Sequence, residues 1–136
     1  MMNIKEILKQ AREGHCAIGQ FNISNLETVK AVLGAARNLQ TPVIIGTSEG
    51  EREFIGRRQI VKLIEAYQEE SQTPIILNAD HTKSFEEIKK AVDAGYSAVH
   101  FDGSELAFEE NIKITKEVME YAKSRNENIL VEGELG

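Results

Sequence analysis

The amino-acid sequence predicts an α/β fold, built on a parallel sheet that is covered by helices. Short, wholly apolar runs alternate with longer segments whose apolar residues recur at helical spacing along the 136-residue chain. Apolar runs without polar alternation are typical of strands buried on both faces, and such strands belong to parallel sheets. Parallel neighbours need crossover connections, which the intervening helices supply. The length suffices for one domain with its own core, and no linker divides the chain.

Composition and charge exclude several classes of function. The chain is 28% charged with a net charge of -6, which argues against a nucleic-acid or anionic-membrane partner. The N-terminal segment is amphipathic and charged, so it indicates neither a signal peptide nor a membrane span. The single cysteine, Cys16, excludes an internal disulfide and a cysteine-rich zinc site. A reducing cytoplasm is therefore the expected location.

Local signals give the order of the elements. Gly14 and Gly95 are placed to end helices, and Asn25 and Ser84 are placed to begin them. The predicted helices cover residues 4–11, 26–36, 60–67, 85–92 and 108–123. The predicted strands cover residues 16–21, 43–45, 75–77, 98–101 and 129–131. This alternation fits either a doubly wound sheet or part of a (β/α)8 barrel.

Polar side chains follow every predicted strand. These residues are Asn22, Ser48, Asp80 with His81, Asp102, and Glu132 with Glu134. The carboxyl ends of parallel strands lie on one rim of the sheet, where such folds build their active sites. Five consecutive strands with this ending predict a functional site there, with ordinary loop composition as the alternative.

The pair Asp80 and His81 is the strongest candidate for chemistry. A histidine can bind a metal through a neutral ring nitrogen, and an adjacent carboxylate can transfer a proton. Asn78 lies on the same side of the strand as Asp80, by the two-residue period. A helix-capping turn over residues 80–84 is the alternative interpretation.

The remaining candidates give weaker signals. Carboxylates crowded at one rim, such as Asp102 and Glu134, repel one another unless a cation lies among them; solvated strand ends are the alternative. The loop 46–50 could bind phosphate, although an ordinary turn explains it as well. We interpret the other polar or reactive residues as structural: His15 as a surface turn, Cys16 as a packing residue, His100 as a hydrogen-bonded core histidine, and 51–53 as a solvated face.

Five stretches in order along the chain resemble one family. They are F-N-x-x-N-x-E-T at 21–28, P-V-I-I followed by the serine loop S-E-G within 42–50, D-H-x-x-S-F-E at 80–86, D-G-S followed by F-E-E-N within 102–111, and V-E-x-E-L-G at 131–136. The combination covers nearly the whole chain and is similar to the N-terminal portion of class II, zinc-dependent ketose-bisphosphate aldolases. The resemblance implies a (β/α)8 TIM barrel, of which residues 1–136 form the N-terminal half, truncated at the fifth strand.

The same resemblance implies an activity. The family cleaves fructose 1,6-bisphosphate reversibly into dihydroxyacetone phosphate and glyceraldehyde 3-phosphate, using Zn²⁺ and, in some members, a second divalent or monovalent cation. Tagatose bisphosphate is an alternative substrate. Full-length members are homo-oligomers, dimers or tetramers, whose partner is the sugar bisphosphate rather than nucleic acid or membrane.

The resemblance also assigns roles by motif. Asp80 is expected to donate and accept the proton at the C4 oxygen, and His81 to bind zinc. Asp102 and Glu134 match positions that bind a second or alternate metal, and Asn22 and Ser48 match substrate contacts, Ser48 near a phosphate.

Two further family histidine ligands would lie beyond Gly136, so the 136 residues alone are expected to be inactive. A non-catalytic half-barrel binding or scaffolding module is the alternative function. A doubly wound nucleotide-binding domain is disfavoured because no glycine fingerprint follows the first strand.

Overall fold

A computed structural model describes residues 4–136 as one parallel sheet with helices between its strands. The strands lie in the sheet in their order along the chain, and each pairs with the next in parallel. They are β1 (Gln20–Asn22), β2 (Val43–Thr47), β3 (Ile75–Thr82), β4 (Ala98–Asp102) and β5 (Leu130–Glu134). The predicted α/β architecture with about five parallel strands is therefore confirmed.

The helices begin and end where local chemistry favours it. They are α1 (Ile4–Glu13), α2 (Leu26–Leu39), α3 (Glu49–Ile55), α4 (Arg57–Glu70), α5 (Phe85–Ala94) and α6 (Phe108–Arg125). The Asn25 side chain caps α2 by accepting a hydrogen bond from the Thr28 amide at 2.9 Å. Gly95 ends α5 in a left-handed conformation with φ of 105°. Among residues 4–136, no helix has the length and apolar character needed to cross a membrane.

The core lies between the sheet and the helices that follow its strands. Its members are buried branched and aromatic side chains from both layers. They include Ile45, Leu77, Val99 and Phe101 from the strands, and Ile60, Ile88, Val118 and Ala122 from the helices. This core holds the three central strands rigidly, so their carboxyl ends form a fixed rim.

The first strand differs from its prediction. The strand expected over 16–21 is limited to β1, and all three of its residues are exposed. β1 lies at the edge of the sheet with a neighbour on one side only, and its faces are not covered as those of β2 and β3 are. Cys16 lies before β1 and is exposed, so its interpretation as a packing residue was wrong. His15 lies in an exposed turn with φ of 51°, as expected.

The segment after β2 differs as well. Gly46 and Thr47 belong to β2, and residues 49–55 form α3, which is absent from the predicted helices. Arg52 in α3 is fully buried, so the interpretation of 51–53 as a solvated face was wrong for this residue. Its guanidinium donates hydrogen bonds to carbonyl oxygens at the ends of neighbouring strands. The pattern of charges along the sequence does not reveal such partners.

Candidate active site

Asp80 is the centre of a hydrogen-bond network at the carboxyl ends of the strands. The residue is 6% exposed. Its two carboxylate oxygens accept hydrogen bonds of 3.0 Å from the side-chain amides of Gln20 and Asn22. Gln20 also accepts a 3.0 Å bond from the Asn78 amide. The network therefore fixes the position of both Asp80 oxygens.

A glycine in β2 lets the β1 side chains reach β3. A Cβ atom at Gly46 would lie 2.2 Å from Asn22 Oδ1 and 3.4 Å from Gln20 Nε2. Any larger residue would occupy the space that these two amides cross on the way to Asp80. The absence of a side chain at position 46 is thus a condition for the network.

These bonds also decide the charge of Asp80. Burial raises the pKa of this carboxyl, but hydrogen bonds from Asn22, His100 and Gln20, with the charge of His81, lower it by more. The pKa lies below the ordinary value, so Asp80 is ionised at neutral pH. An ionised, positioned carboxylate can accept a proton from a hydroxyl group within reach.

His81 stands at an irregularity of β3. The pairing of β3 with β4 shifts register between Ala79 and Thr82, and His81 has φ of 43°. A non-glycine residue with this conformation is uncommon, and such residues cluster at functional sites. The bulge turns the His81 ring outward, where its side chain is 56% exposed. His81 therefore faces the rim instead of the core.

Two carboxylates approach the His81 ring. Its Nδ1 atom lies 3.2 Å from Asp102 Oδ2 and 3.4 Å from Glu134 Oε2. The Asp102 hydrogen bond raises the pKa of His81. The pKa of Asp102 falls to about 2, chiefly because the Ser104 hydroxyl donates to Asp102 Oδ1 at 2.6 Å. Three residues predicted to bind metal thus lie together.

His100 joins the two parts of the cluster. It is 5% exposed, so it is buried as expected, but its ring faces the site. Its Nδ1 atom lies 3.2 Å from Asp80 Oδ1, and its Nε2 atom lies 2.9 Å from Glu134 Oε2. The second contact lacks the angles of a hydrogen bond, leaving both atoms buried without a hydrogen-bond partner. Such atoms call for an explanation.

Arg52 supports the strand ends from below the rim. Its guanidinium donates to the carbonyl oxygens of Thr47 and Asp80, the latter at 3.2 Å, and to the Thr82 hydroxyl at 2.8 Å. Burial lowers the pKa of Arg52. The residue therefore holds the Asp80 carbonyl and the Thr82 hydroxyl, one on each side of His81 along the chain.

Ser48 is apart from this network. It caps α3, with its amide donating to Glu51 Oε2 at 2.6 Å and its hydroxyl accepting from the Glu51 amide at 3.4 Å. It follows the last residue of β2, so it lies on the same rim as the other candidates. Of the six predicted site residues, five form one connected group: Asn22, Asp80, His81, Asp102 and Glu134. Ser48 is the sixth, and it is placed near them only by its position at the end of β2.

The donor set suits a transition metal. The structure brings together two groups whose potential ligand atoms lie within 4.8 Å of one another: Asp80, His81 and His100; and His81, Asp102 and Glu134. Imidazole nitrogens mixed with carboxylate oxygens are the ligands of catalytic zinc sites. The buried, unpaired His100 Nε2 and Glu134 Oε2 atoms beside these groups are consistent with a site completed by a cation.

Three residues of this cluster were missed or undervalued from sequence. Gln20 lies two residues before Asn22, and His100 two before Asp102, so the strand period places each pair on one face. That spacing was a usable signal for both. Arg52 gave none, because its partners are backbone carbonyls of other elements.

The sheet order and this rim define a barrel-type α/β protein with a candidate metal centre at its strand ends. The family model for fructose-bisphosphate aldolase class-II matches residues 2–136, and the chain belongs to this family. The resemblance found in the five stretches is thereby confirmed.

Comparisons with individual proteins also show similarity to aldolases. The chain is 42% identical over 139 residues to a fructose-bisphosphate aldolase of Geobacillus stearothermophilus and 40% identical to one of Staphylococcus epidermidis; each match covers 100% of this chain and 48% of the relative. The solved YdjI aldolase from Escherichia coli K12 superimposes with a TM-score of 0.89 at 31% identity, covering 99% of this chain and 52% of that one. The chain thus spans about half the length of the relatives it matches.

Proposed function

We propose that the chain carries part of the active site of a zinc-dependent ketose-bisphosphate aldolase, which cleaves fructose 1,6-bisphosphate reversibly into dihydroxyacetone phosphate and glyceraldehyde 3-phosphate. The observation that carries the proposal is Asp80, a buried carboxylate with a lowered pKa beside a histidine–carboxylate cluster. Family membership supports the reaction class.

Asp80 performs the proton transfer in this proposal. In the cleavage direction it accepts the proton of the C4 hydroxyl as the C3–C4 bond breaks, and in the reverse direction it returns that proton. The amides of Gln20 and Asn22 hold its oxygens in place, so little reorganisation precedes the step. Asn22 and Ser48 contact the substrate, the Ser48 hydroxyl near a phosphate.

His81 binds zinc, and Asp102 and Glu134 bind the same ion or a second cation. When bound, zinc supplies a Lewis acid that stabilises negative charge on the ketone fragment. Asp102 accepts a hydrogen bond from His81 Nδ1 when that nitrogen carries the proton, which orients the ring and makes it a better ligand.

The proposal includes a cytoplasmic homo-oligomer. Cys16 is exposed and free, which suits a reducing compartment. The β1 strand has one neighbour in the sheet and exposed side chains, including Phe21 at 50% exposure. An uncovered strand edge can pair with further strands of the same barrel or with a strand of another copy, and the homo-oligomer of the proposal rests on the resemblance to the family.

The test is an aldol-cleavage assay with added Zn²⁺ on the 136-residue chain and on the longest natural reading frame that contains it. Fructose and tagatose bisphosphates are assayed in parallel, because they differ in configuration at C4. We expect EDTA to abolish cleavage and Asp80→Asn to lower kcat by about 100-fold or more. Asp93→Asn, on the outer surface of α5, is the matched control and should leave kcat unchanged. If neither protein cleaves any ketose bisphosphate in a metal-dependent way, the binding-module alternative replaces this proposal.

A further inference from the structure

We propose that Asn111 of α6 is a positioning residue for Glu134, and that it sets where the carboxylate at the end of β5 lies. Asn111 belongs to the F-E-E-N stretch, and neither it nor Gly103 of the D-G-S stretch has a part in the proposed function. The inference rests on that function only for its effect on catalysis. Its structural part does not depend on aldol cleavage.

The first support is a hydrogen bond between Asn111 and the backbone at the end of β5. Asn111 is 4% exposed, and its Nδ2 atom donates to the Glu134 carbonyl oxygen at 2.7 Å. Glu134 is the last residue of β5, and among residues 4–136 this strand pairs on one side only, with β4. The Asn111 amide therefore holds the strand end from the helix, at the residue that carries the carboxylate.

The second support is that the Asn111 amide can face in one direction only. The Glu134 carbonyl accepts but cannot donate, so it requires the Nδ2 side of the amide. The Oδ1 side accepts a hydrogen bond from the Thr115 hydroxyl, about one turn further along α6, at 3.1 Å. Both ends of this buried amide are thus satisfied, which fixes its orientation.

The third support is the space that Gly103 leaves. A Cβ atom at Gly103 would lie 2.3 Å from Asn111 Oδ1 and 2.5 Å from Asn111 Cγ. Gly103 does not have a positive φ, so its backbone conformation is open to other residues and the close approach of Asn111 is what requires a glycine. The two stretches therefore act as one unit, in which Gly103 admits the side chain that holds Glu134.

The position of Glu134 decides which groups its carboxylate meets. Its Oε2 atom lies 3.4 Å from His81 Nδ1 and 2.9 Å from His100 Nε2. The Glu134 side chain is 35% exposed and starts from the backbone that Asn111 holds. A shift of the strand end by about 1 Å would move the carboxylate away from these rings, and a misplacement of that size can cost about 100-fold in rate.

The first experiment locates Glu134 in the 136-residue chain without measuring activity. Nuclear Overhauser effects between the side-chain protons of Glu134 and the ring protons of His100 report how closely the two groups approach. We expect these effects in the unchanged chain and their loss in Asn111→Leu, which has a similar size but cannot donate to the Glu134 carbonyl. Val118→Ala removes core contacts of the same helix and is the matched control, in which the effects should remain.

The second experiment measures cleavage kinetics in the longest natural reading frame that contains the chain. Asn111→Leu should lower kcat by about 10- to 100-fold, the usual cost of losing a group that holds a metal-site residue. KM should stay within about threefold, because Asn111 contacts no substrate group in the proposed function. Gly103→Ala displaces the same amide from its other side and should give the same pattern. Val118→Ala should keep kcat within about threefold.

A double substitution tests whether Asn111 acts through Glu134. Adding Asn111→Leu to Glu134→Gln should lower kcat little further than Glu134→Gln alone, since two residues that act through one group are not additive. Fully additive effects would overturn the proposal. So would equal losses of kcat in Val118→Ala and Asn111→Leu, because the cause would then be general stability.

The structural comparison decides the role of Asn111 even if the unchanged protein cleaves no ketose bisphosphate, in which case the proposed function fails separately. The proposal is overturned if the unchanged chain lacks the Glu134–His100 effects, or if Asn111→Leu keeps them. Should Asn111→Leu fail to fold, Gly103→Ala supplies the same comparison with the Asn111 side chain still present.

Discussion

The side chain of Arg52 joins the ends of two strands next to Asp80. It is fully buried, and its hydrogen-bond partners are carbonyl oxygens and a hydroxyl, with no carboxylate bonded to it. Burying a cation is costly unless hydrogen bonds compensate. The hydrogen bonds of Arg52 therefore offset the free-energy cost of removing its guanidinium from water. Removing the guanidinium leaves its partners unpaired in the interior, where each carries a desolvation cost.

We expect Arg52→Met to lower the free energy of unfolding by about 3 kcal/mol. Arg52→Lys should lower it less, because an ammonium keeps the charge but cannot form the fork of bonds. Urea denaturation followed by circular dichroism measures both. Arg58→Met, at an exposed position of the neighbouring helix, should stay within about 0.5 kcal/mol of the unchanged chain. Equal effects at positions 52 and 58 would show that the buried contacts contribute nothing.

At the scale of the elements, β1 and β2 are linked by the space above Gly46. The Asn22 and Gln20 amides cross this space to reach Asp80, and a Cβ atom there would lie 2.2 Å from Asn22 Oδ1. We expect Gly46→Ala to displace both amides. Loss of their bonds removes two of the contributions that lower the pKa of Asp80 and leaves those of His100 and His81, so this pKa should rise.

A ¹³C titration of the Asp80 carboxyl measures this change. Gly34→Ala in α2 is the matched control, since nothing lies within 4 Å of a Cβ atom there. It should leave the pKa of Asp80 unchanged and stabilise the helix by roughly 0.5–1 kcal/mol. An unchanged pKa in Gly46→Ala would mean that the two amides do not control the charge of Asp80.

The elements also show how far sequence reasoning reaches. Strands β2, β3 and β4 were predicted because each is an apolar run that the core buries on its helical side. The bounds of β1 were not, because they depend on the edge of β2. Helix α3 was missed although Ser48 and Glu51 form a capping box at its start, which is a local signal in the sequence. The same distinction applies to the site. Strand-end motifs located Asp80, His81, Asp102 and Glu134, whereas the role of His100 depends on which way its ring faces.

At the scale of the whole molecule, the cluster connects the sheet from one edge to the other. Asn22 of β1 contacts Asp80 of β3, His100 of β4 contacts both Asp80 and Glu134 of β5, and Gly46 of β2 leaves the space between. Unfolding of any strand therefore disturbs the same network. The ionisation of its carboxylates should be linked to the stability of the entire fold.

Asp102 provides the clearest case of this linkage. Its pKa is lowered from 3.8 to about 2 in the folded chain, so it releases its proton more readily when folded than when unfolded. The stabilisation is fully present above the unfolded pKa and is lost as the pH falls through the folded one. This difference corresponds to about 2 kcal/mol. Asp102→Asn should remove most of it at neutral pH, since the charge that strengthens the bonds from Ser104 is gone.

The test compares free energies of unfolding of the unchanged chain and Asp102→Asn from about pH 6 down to about pH 3. The difference between them should fall by about half over this range, because the unfolded carboxyl becomes protonated before the folded one. Glu13→Gln, at an exposed position at the end of α1, is the control for the loss of a carboxylate outside the cluster. A constant difference for Asp102→Asn would mean that its charge is not linked to folding, and the cluster would then be a local feature of the rim without influence on the stability of the sheet.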